Sequence, residues 1–245
     1  MTTSMYTAGL RIDLAVSKVR KYATRESGDT LEVIERPLGG ISLVLADGQR
    51  SGRSAKHIAN MVVRKVVALL AEGVRDGAAA RAASDYLYAE RGGRVQATLN
   101  ILSVDMDSRT VVITRNNPLP VFVLRGGALL RLADDTPPVG LRRHTRPRVE
   151  EFPLEVGLWV LMFTDGLAHA GVRTGRTWDP GARFAAHARA AGATPRAVAD
   201  ALMAEALELD AGRAADDISI VVLTVTEHPG HRPPIRDMDM RLPLV

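Results

Sequence analysis

The chain has no cysteine, which excludes disulfides and thiolate chemistry and permits a reducing compartment. Aromatics are scarce: two Trp, four Tyr and four Phe leave Val, Leu, Ile and Ala to supply most of an apolar fraction of 46%. Lysine occurs only at positions 18, 21, 56 and 65, so the net charge of +4 rests on arginine. Those arginines are interleaved with 28 acidic residues and lack aromatic interleaving, which argues against a nucleic-acid partner. No apolar stretch approaches the length of a membrane-spanning helix, and the N-terminus MTTSMYTAGLRIDLAV has no charged segment ahead of an apolar one. The expectation is a cytoplasmic protein without membrane association. A phosphate-binding GxxxxGK[ST] loop is also missing.

What is present is enough for one substantial core. The 245 residues show no break in composition, so residues 1–227 are expected to form a single domain, followed by a Pro-containing tail over 228–245. Leu10, Ile12, Leu14 and Val16 alternate with polar residues as in a half-buried strand, and further strands are expected around 30–36 and 40–46, the three forming an antiparallel meander. Ala55, Ile58, Ala59, Val62, Val63, Val66, Val67 and Leu70 recur at helical spacing, and a second, Ala-rich helix is predicted from about Gly77 to Glu90. The middle of the chain, VQATLNILSVDM, TVVITRN, PVFVLR and ALLRLA, is a series of strands separated by turn residues, with Asn116-Asn117-Pro118 read as a tight turn. RVEEFPLE and GLWVLMFTDG add two more strands before helices at about 180–191 and 195–209 and a last strand, DISIVVLTV. Blocks of strands and helices segregated in this way predict antiparallel sheets with helices outside, an α+β layered fold. Within the tail, the alternation in IRDMDMRL allows an added edge strand.

Four acidic sites share one context. Asp29 follows Gly28 just before a strand, Asp47 ends a strand and precedes Gly48, Asp165 ends a strand and precedes Gly166, and Asp216-Asp217 opens the final strand. Strand ends in a layered sheet lie along common edges, so these carboxylates are placed to converge. Asp is a short, hard oxygen ligand of the kind Mg²⁺ or Mn²⁺ requires, and the pattern predicts a two-metal carboxylate site. Any one Asp-Gly pair is equally the ordinary way to leave a strand.

The ordered motifs SGD, ADGQRSGRSA, FTDGL and ADDISIVVL resemble those of the type 2C metal-dependent protein serine/threonine phosphatases (PPM), in particular the bacterial branch of stage II sporulation protein E and RsbX, over nearly all of residues 24–226. The resemblance implies a four-layer α-β-β-α sandwich, two antiparallel sheets flanked by helix pairs. It implies two divalent ions, Mn²⁺ or Mg²⁺, held by Asp29, Asp47, the Gly48 carbonyl, Asp165 and Asp216, with Asp47 bridging and Asp217 in support. Asp47 and Asp165 would serve catalysis through metal-bound water, a bridging hydroxide attacking phosphorus in line. The implied substrate is a phosphorylated regulatory protein, a STAS-domain partner in a sigma-factor or stressosome pathway. No sensor or coiled coil is legible ahead of the first strand, so regulation is expected from a partner.

Several positions depart from the family pattern. Gln49-Arg50 replaces small or glycine residues, which makes Arg50 either a solvated loop residue or a phosphate contact. His169 stands where an acidic residue is common, Asp217 where Asn is common, and Asn116-Asn117-Pro118 lacks the usual glycine and histidine. The loop LRRHTRPR, Leu141 to Arg148, concentrates four arginines that are either solvated or dock an acidic phosphoprotein. Two further functions remain: a degenerate phosphatase that binds a phosphoprotein without turnover, and a nucleic-acid binder suggested by basicity alone.

Overall fold

The structure is a computed structural model that describes residues 9–228 and 235–241. Ten strands alternate with helices along the chain: β1 (Gly9–Val19), β2 (Asp29–Glu35), β3 (Ile41–Gly48), α1 (Gly52–Ala71), α2 (Asp76–Arg91), β4 (Ala97–Asp105), β5 (Thr110–Asn116), β6 (Val121–Arg125), β7 (Ala128–Leu132), β8 (Arg148–Pro153), β9 (Trp159–Phe163), α3 (Asp165–Ala168), α4 (Pro180–Ala188), α5 (Pro195–Leu209) and β10 (Ile218–His228). The strands form two five-stranded sheets, in the orders β2-β3-β4-β5-β8 and β1-β10-β9-β6-β7. Every pairing is antiparallel.

Period-2 patterning explains the layering. Leu43, Leu45, Leu102, Val104, Val111 and Ile113 of one sheet meet Val121, Val123, Val160, Met162, Val221, Leu223 and Val225 of the other in a core between the sheets. The opposite faces carry Val44, Ala46, Leu99 and Ile101 under α1 and α2, and Phe122, Leu161, Phe163, Ile220 and Val222 under α4 and α5. The result is the expected four-layer α-β-β-α sandwich. Helix α1 buries Ala55, Ile58, Ala59, Val62, Val63, Val66 and Leu70, the stripe its spacing predicted, while Val67 stays partly exposed. Helix α2 ends at Gly92, whose φ of 59° supplies a left-handed C-terminal cap. Asp179 and Thr194 accept the first free N–H groups of α4 and α5, each ahead of a proline in the first turn. Among the described residues no helix is long and apolar enough to cross a membrane.

The predicted three-strand meander is corrected. β2 and β3 pair, but β1 belongs to the other sheet and pairs along its whole length with β10, from Gly9 opposite His228 to Val19 opposite Ile218. β10 is buried on both faces over most of its length and so takes partners on both sides, whereas β1, only partly buried on either face, suits an edge. The same crossing recurs at Asn116-Asn117-Pro118. This segment is no tight turn: it carries the chain from β5 in one sheet to β6 in the other, with Asn116 and Asn117 buried. Asn116 Nδ2 donates to the Pro137 carbonyl at 3.1 Å, and Thr136 Oγ1 donates to the Asn117 carbonyl at 2.8 Å. Residues 235–241 form no strand, so the predicted tail strand is absent from them, and Leu242 lies outside the described residues. Arg236 of this segment donates to the Gly39 carbonyl at 2.6 Å and pairs with Glu35 at 3.4 Å.

Candidate metal centre

Asp29 and Asp47 are cross-strand partners at the end of the β2–β3 ladder, on the face turned toward the second sheet. Asp165 starts α3 directly after β9, and Asp216-Asp217 precede β10, so each acidic residue sits at a strand terminus on the same side of the sandwich. Asp47 experiences the charges of Asp29, Asp165, Asp216 and Asp217 together. Burial, then this repulsion, raises its carboxyl to about 9. Asp165 is raised as well, by burial first and then by Asp216, with the exposed His169 pulling the other way.

Asp29 is fully buried. Its Oδ2 accepts from Ser219 Oγ at 2.6 Å and Thr164 Oγ1 at 2.9 Å, both reaching across from the second sheet. Its Oδ1 is buried and has no hydrogen-bond partner. Burial raises the Asp29 carboxyl to about 6 despite the two hydroxyls that oppose the rise. A buried carboxylate oxygen left without a donor is costly, and a cation is the partner that such an atom and its acidic neighbours suit.

The glycines of the Asp-Gly pairs have a steric cause. A Cβ on Gly48 would lie 2.0 Å from the Ala55 carbonyl oxygen, and one on Gly166 would lie 2.2 Å from the Asp217 carbonyl oxygen. Backbone segments therefore meet beside both aspartates, and only glycine allows the approach. Gly28 is similarly hemmed in, with the Ala55 Cβ 2.8 Å, Asp217 Oδ2 3.3 Å and Asp47 Oδ1 3.8 Å from the position of a Cβ.

The adjacent acids of Asp216-Asp217 differ. Asp217 Oδ2 accepts from the Gly28 N–H at 2.7 Å and its Oδ1 from the Lys21 N–H at 2.8 Å, fastening the β1–β2 connection to the start of β10. Asp216 is 44% exposed, stands 3.7 Å from Lys21 Nζ and is left open to the edge. Among the described residues, no three His, Cys, Asp or Glu side chains are gathered tightly enough to enclose an ion by themselves. An ion at this edge would complete its shell with water, as Mg²⁺ ordinarily does.

Gln49 closes the loop after Gly48: its N–H donates to the Gln96 carbonyl at 3.0 Å and its Oε1 accepts from the Gln96 N–H at 3.3 Å. Arg50 projects from the same loop, exposed, with a φ of 79°. Sequence reasoning missed Thr164 and Ser219, although Thr164 adjoins Asp165 and Ser219 follows Asp217 by two residues. It also missed Lys18 and Lys56, whose ammonium groups donate to the Asp29 carbonyl at 3.2 and 2.8 Å. Burial, before any charge effect, pulls Lys18 below its ordinary value. Position along the chain gave no signal for the lysines, because they arrive from β1 and α1.

The sequence and the fold match known proteins. The family described as stage II sporulation protein E (SpoIIE) matches residues 37–226. Stage II sporulation protein E of Priestia megaterium is 21% identical over 217 residues, covering 86% of this chain and 36% of that protein, so the chain spans about a third of that relative's length. The structure of the PP2C phosphatase domain and a fragment of the regulatory domain of SpoIIE from Bacillus subtilis matches with a TM-score of 0.77 at 19% identity, over 91% of this chain and 65% of that one. RsbX in complex with magnesium matches at 0.68 and 13%, over 90% and 100%. The catalytic domain of the serine threonine protein phosphatase PstP in complex with two manganese ions matches at 0.65 and 16%, over 89% and 100%. At these identities the structural likeness speaks to the fold, while the match over residues 37–226 covers most of the sequence and decides the family: the chain belongs to the stage II sporulation protein E family.

Proposed function

We propose that this protein is a metal-dependent phosphoserine/phosphothreonine phosphatase, with residues 1–227 as its catalytic domain. The observation that carries the reading is the unpartnered, fully buried Oδ1 of Asp29, cross-strand from an Asp47 crowded by three more carboxylates. Asp29, Asp47, the Gly48 carbonyl, Asp165 and Asp216 would hold two divalent cations, Mn²⁺ or Mg²⁺. Such ions supply Lewis-acid activation of water and neutralise phosphoryl charge.

The chain's own residues do the rest. Thr164 and Ser219 fix one oxygen of Asp29 and thereby orient the other. Asp217 ties the ligand-bearing connections together through the Gly28 and Lys21 N–H groups. Arg50, exposed in the loop that follows Gly48, would be the phosphate contact. The resemblance to RsbX supports a small phosphorylated STAS-domain protein of a sigma-factor or stressosome pathway as substrate, and a cytoplasmic location suits a chain without cysteine.

The test is hydrolysis of p-nitrophenyl phosphate and of a phosphorylated STAS-domain protein with Mn²⁺, comparing the wild type with Asp47→Ala and Asp165→Ala. Turnover abolished by both substitutions and by chelator is the expected result. No turnover, or turnover that survives all three treatments, overturns the reading. Tight phosphoprotein binding without turnover would point to a binding module.

A further inference from the structure

Three backbone segments lie side by side along one margin of the carboxylate edge. Gly48 pairs with Ala97, and Ala97 bridges to Val139 through hydrogen bonds of 3.1 and 2.9 Å. The contact continues outward: a Cβ on Gly93 would lie 3.2 Å from the Leu141 carbonyl oxygen. Each segment brings an exposed arginine to this margin, Arg50 from the first, Arg94 from the second and Arg142 from the third, with Arg143 and Arg146 following. The nearby carboxylates Asp85 and Asp134 already stand beside His144 and Arg148. Among the described residues, Arg50, Arg94, Arg142 and Arg146 have no ion-pair partner.

We propose that this arginine rim docks an acidic segment of the phosphoprotein substrate, an inference that rests on the phosphatase reading above. Adjacent extended segments are about 4.8 Å apart, so Val139, two segments over, lies roughly 10 Å from Gly48, and the arginines continue the rim outward from these segments. An extended peptide covers that distance in about three residues. The rim therefore selects Glu or Asp about three or four positions from the phosphorylated residue, through forked guanidinium–carboxylate hydrogen bonds. A polypeptide suits the rim better than RNA, because the nearby Tyr88 ring already carries the Arg143 guanidinium at 5.4 Å in place of a stacked base.

Phosphoserine peptides carrying Glu, Gln or Lys at the third and fourth positions on either side test the inference. Wild-type protein is expected to favour Glu over Gln by about tenfold in kcat/KM at low salt, with the preference fading as salt rises. The double variant Arg94→Ala/Arg142→Ala, exposed positions outside the carboxylate site, is expected to lose the preference and keep wild-type hydrolysis of p-nitrophenyl phosphate. Fluorescence anisotropy of the same labelled peptides reads docking independently of turnover, so an inactive protein that still prefers Glu would defeat the phosphatase reading and leave the rim standing. Equal handling of Glu and Gln peptides by the wild type, or a preference that persists in the variant, overturns the inference. So does a single-stranded RNA that displaces the Glu peptide and depends equally on Arg94 and Arg142.

Discussion

Thr164 and Asp29 stand 135 residues apart in sequence, yet the Thr164 hydroxyl donates to Asp29 Oδ2 at 2.9 Å, a bond that crosses from one sheet to the other. The same hydroxyl accepts from the Ser219 N–H at 2.9 Å, and Ser219 Oγ donates to the same Asp29 oxygen at 2.6 Å. A side chain of the first sheet is thus aimed by two residues of the second.

Removing both hydroxyls should therefore weaken cation binding before it unfolds the protein. Thr164→Val with Ser219→Ala is expected to lower Mn²⁺ affinity by about 10–100-fold, the usual consequence of losing groups that orient a ligand. Calorimetric titration with Mn²⁺ measures it. Thr30→Val is the control: the Thr30 hydroxyl, on the opposite face of β2 from the Asp29 carboxylate, donates to Asn60 Oδ1 at 2.7 Å, so its loss should cost stability but not affinity.

Mutual repulsion among the acidic residues means that a cation should stabilise the fold. At about a hundred times its Kd a ligand adds ~2.7 kcal/mol. For a chain of this size that raises Tm by roughly 5–10 °C. Thermal melts with and without Mn²⁺ should show this rise in the wild type and little of it in Asp47→Asn. An equal rise in both would remove Asp47 from the binding site.

The two glycines that flank one loop, Gly48 at the end of β3 and Gly52 at the start of α1, should respond differently to alanine. Gly48→Ala forces a Cβ to 2.0 Å from the Ala55 carbonyl oxygen, backbone against backbone, and is expected to cost about 3 kcal/mol or more. Gly52 has open space around it but a φ of 65°, so Gly52→Ala should cost about 1–2 kcal/mol. Urea melts of the two variants check the order.

On the outer helices, Arg183 and then His187 hold the Glu205 carboxyl below its ordinary value of 4.5, the Arg183 hydrogen bond being the larger cause. A lowered carboxyl stabilises the fold above its unfolded value, and that stability is lost as pH falls below about 4.5 toward the folded value. Glu205→Gln should accordingly flatten the acid side of a stability-against-pH curve, below about pH 4.5.

Local patterns made much of the fold legible. Helix α1 could be read from its apolar stripe, α5 matched its predicted span, and most strands were visible as alternating or continuous apolar runs bounded by turn residues. The assignment of strands to sheets was not legible. β1 and β5 each precede a strand that lies in the other sheet, because an isolated strand pattern shows that one face is buried without saying which partner covers its edge. The acidic site was half visible: its Asp residues stood out beside glycines, whereas Lys18, Lys56, Thr164 and Ser219 gave no signal of their own.

By itself, the sequence determined the chemistry available to this protein: carboxylates beside glycines at strand ends, no thiolate, and a positive charge carried by arginine. The tertiary structure decided how those groups meet. Packing two sheets face to face buried Asp29, left one of its oxygens without a donor, and set Asp47 among four other carboxylates. The same packing brought the backbone against Gly48 and Gly166, so the glycines once explicable as simple turns are required by the close approach of α1 and of the start of β10. The physical reason for the division is range: side-chain periodicity is written within a few residues, while desolvation and charge repulsion depend on neighbours that only the folded chain supplies.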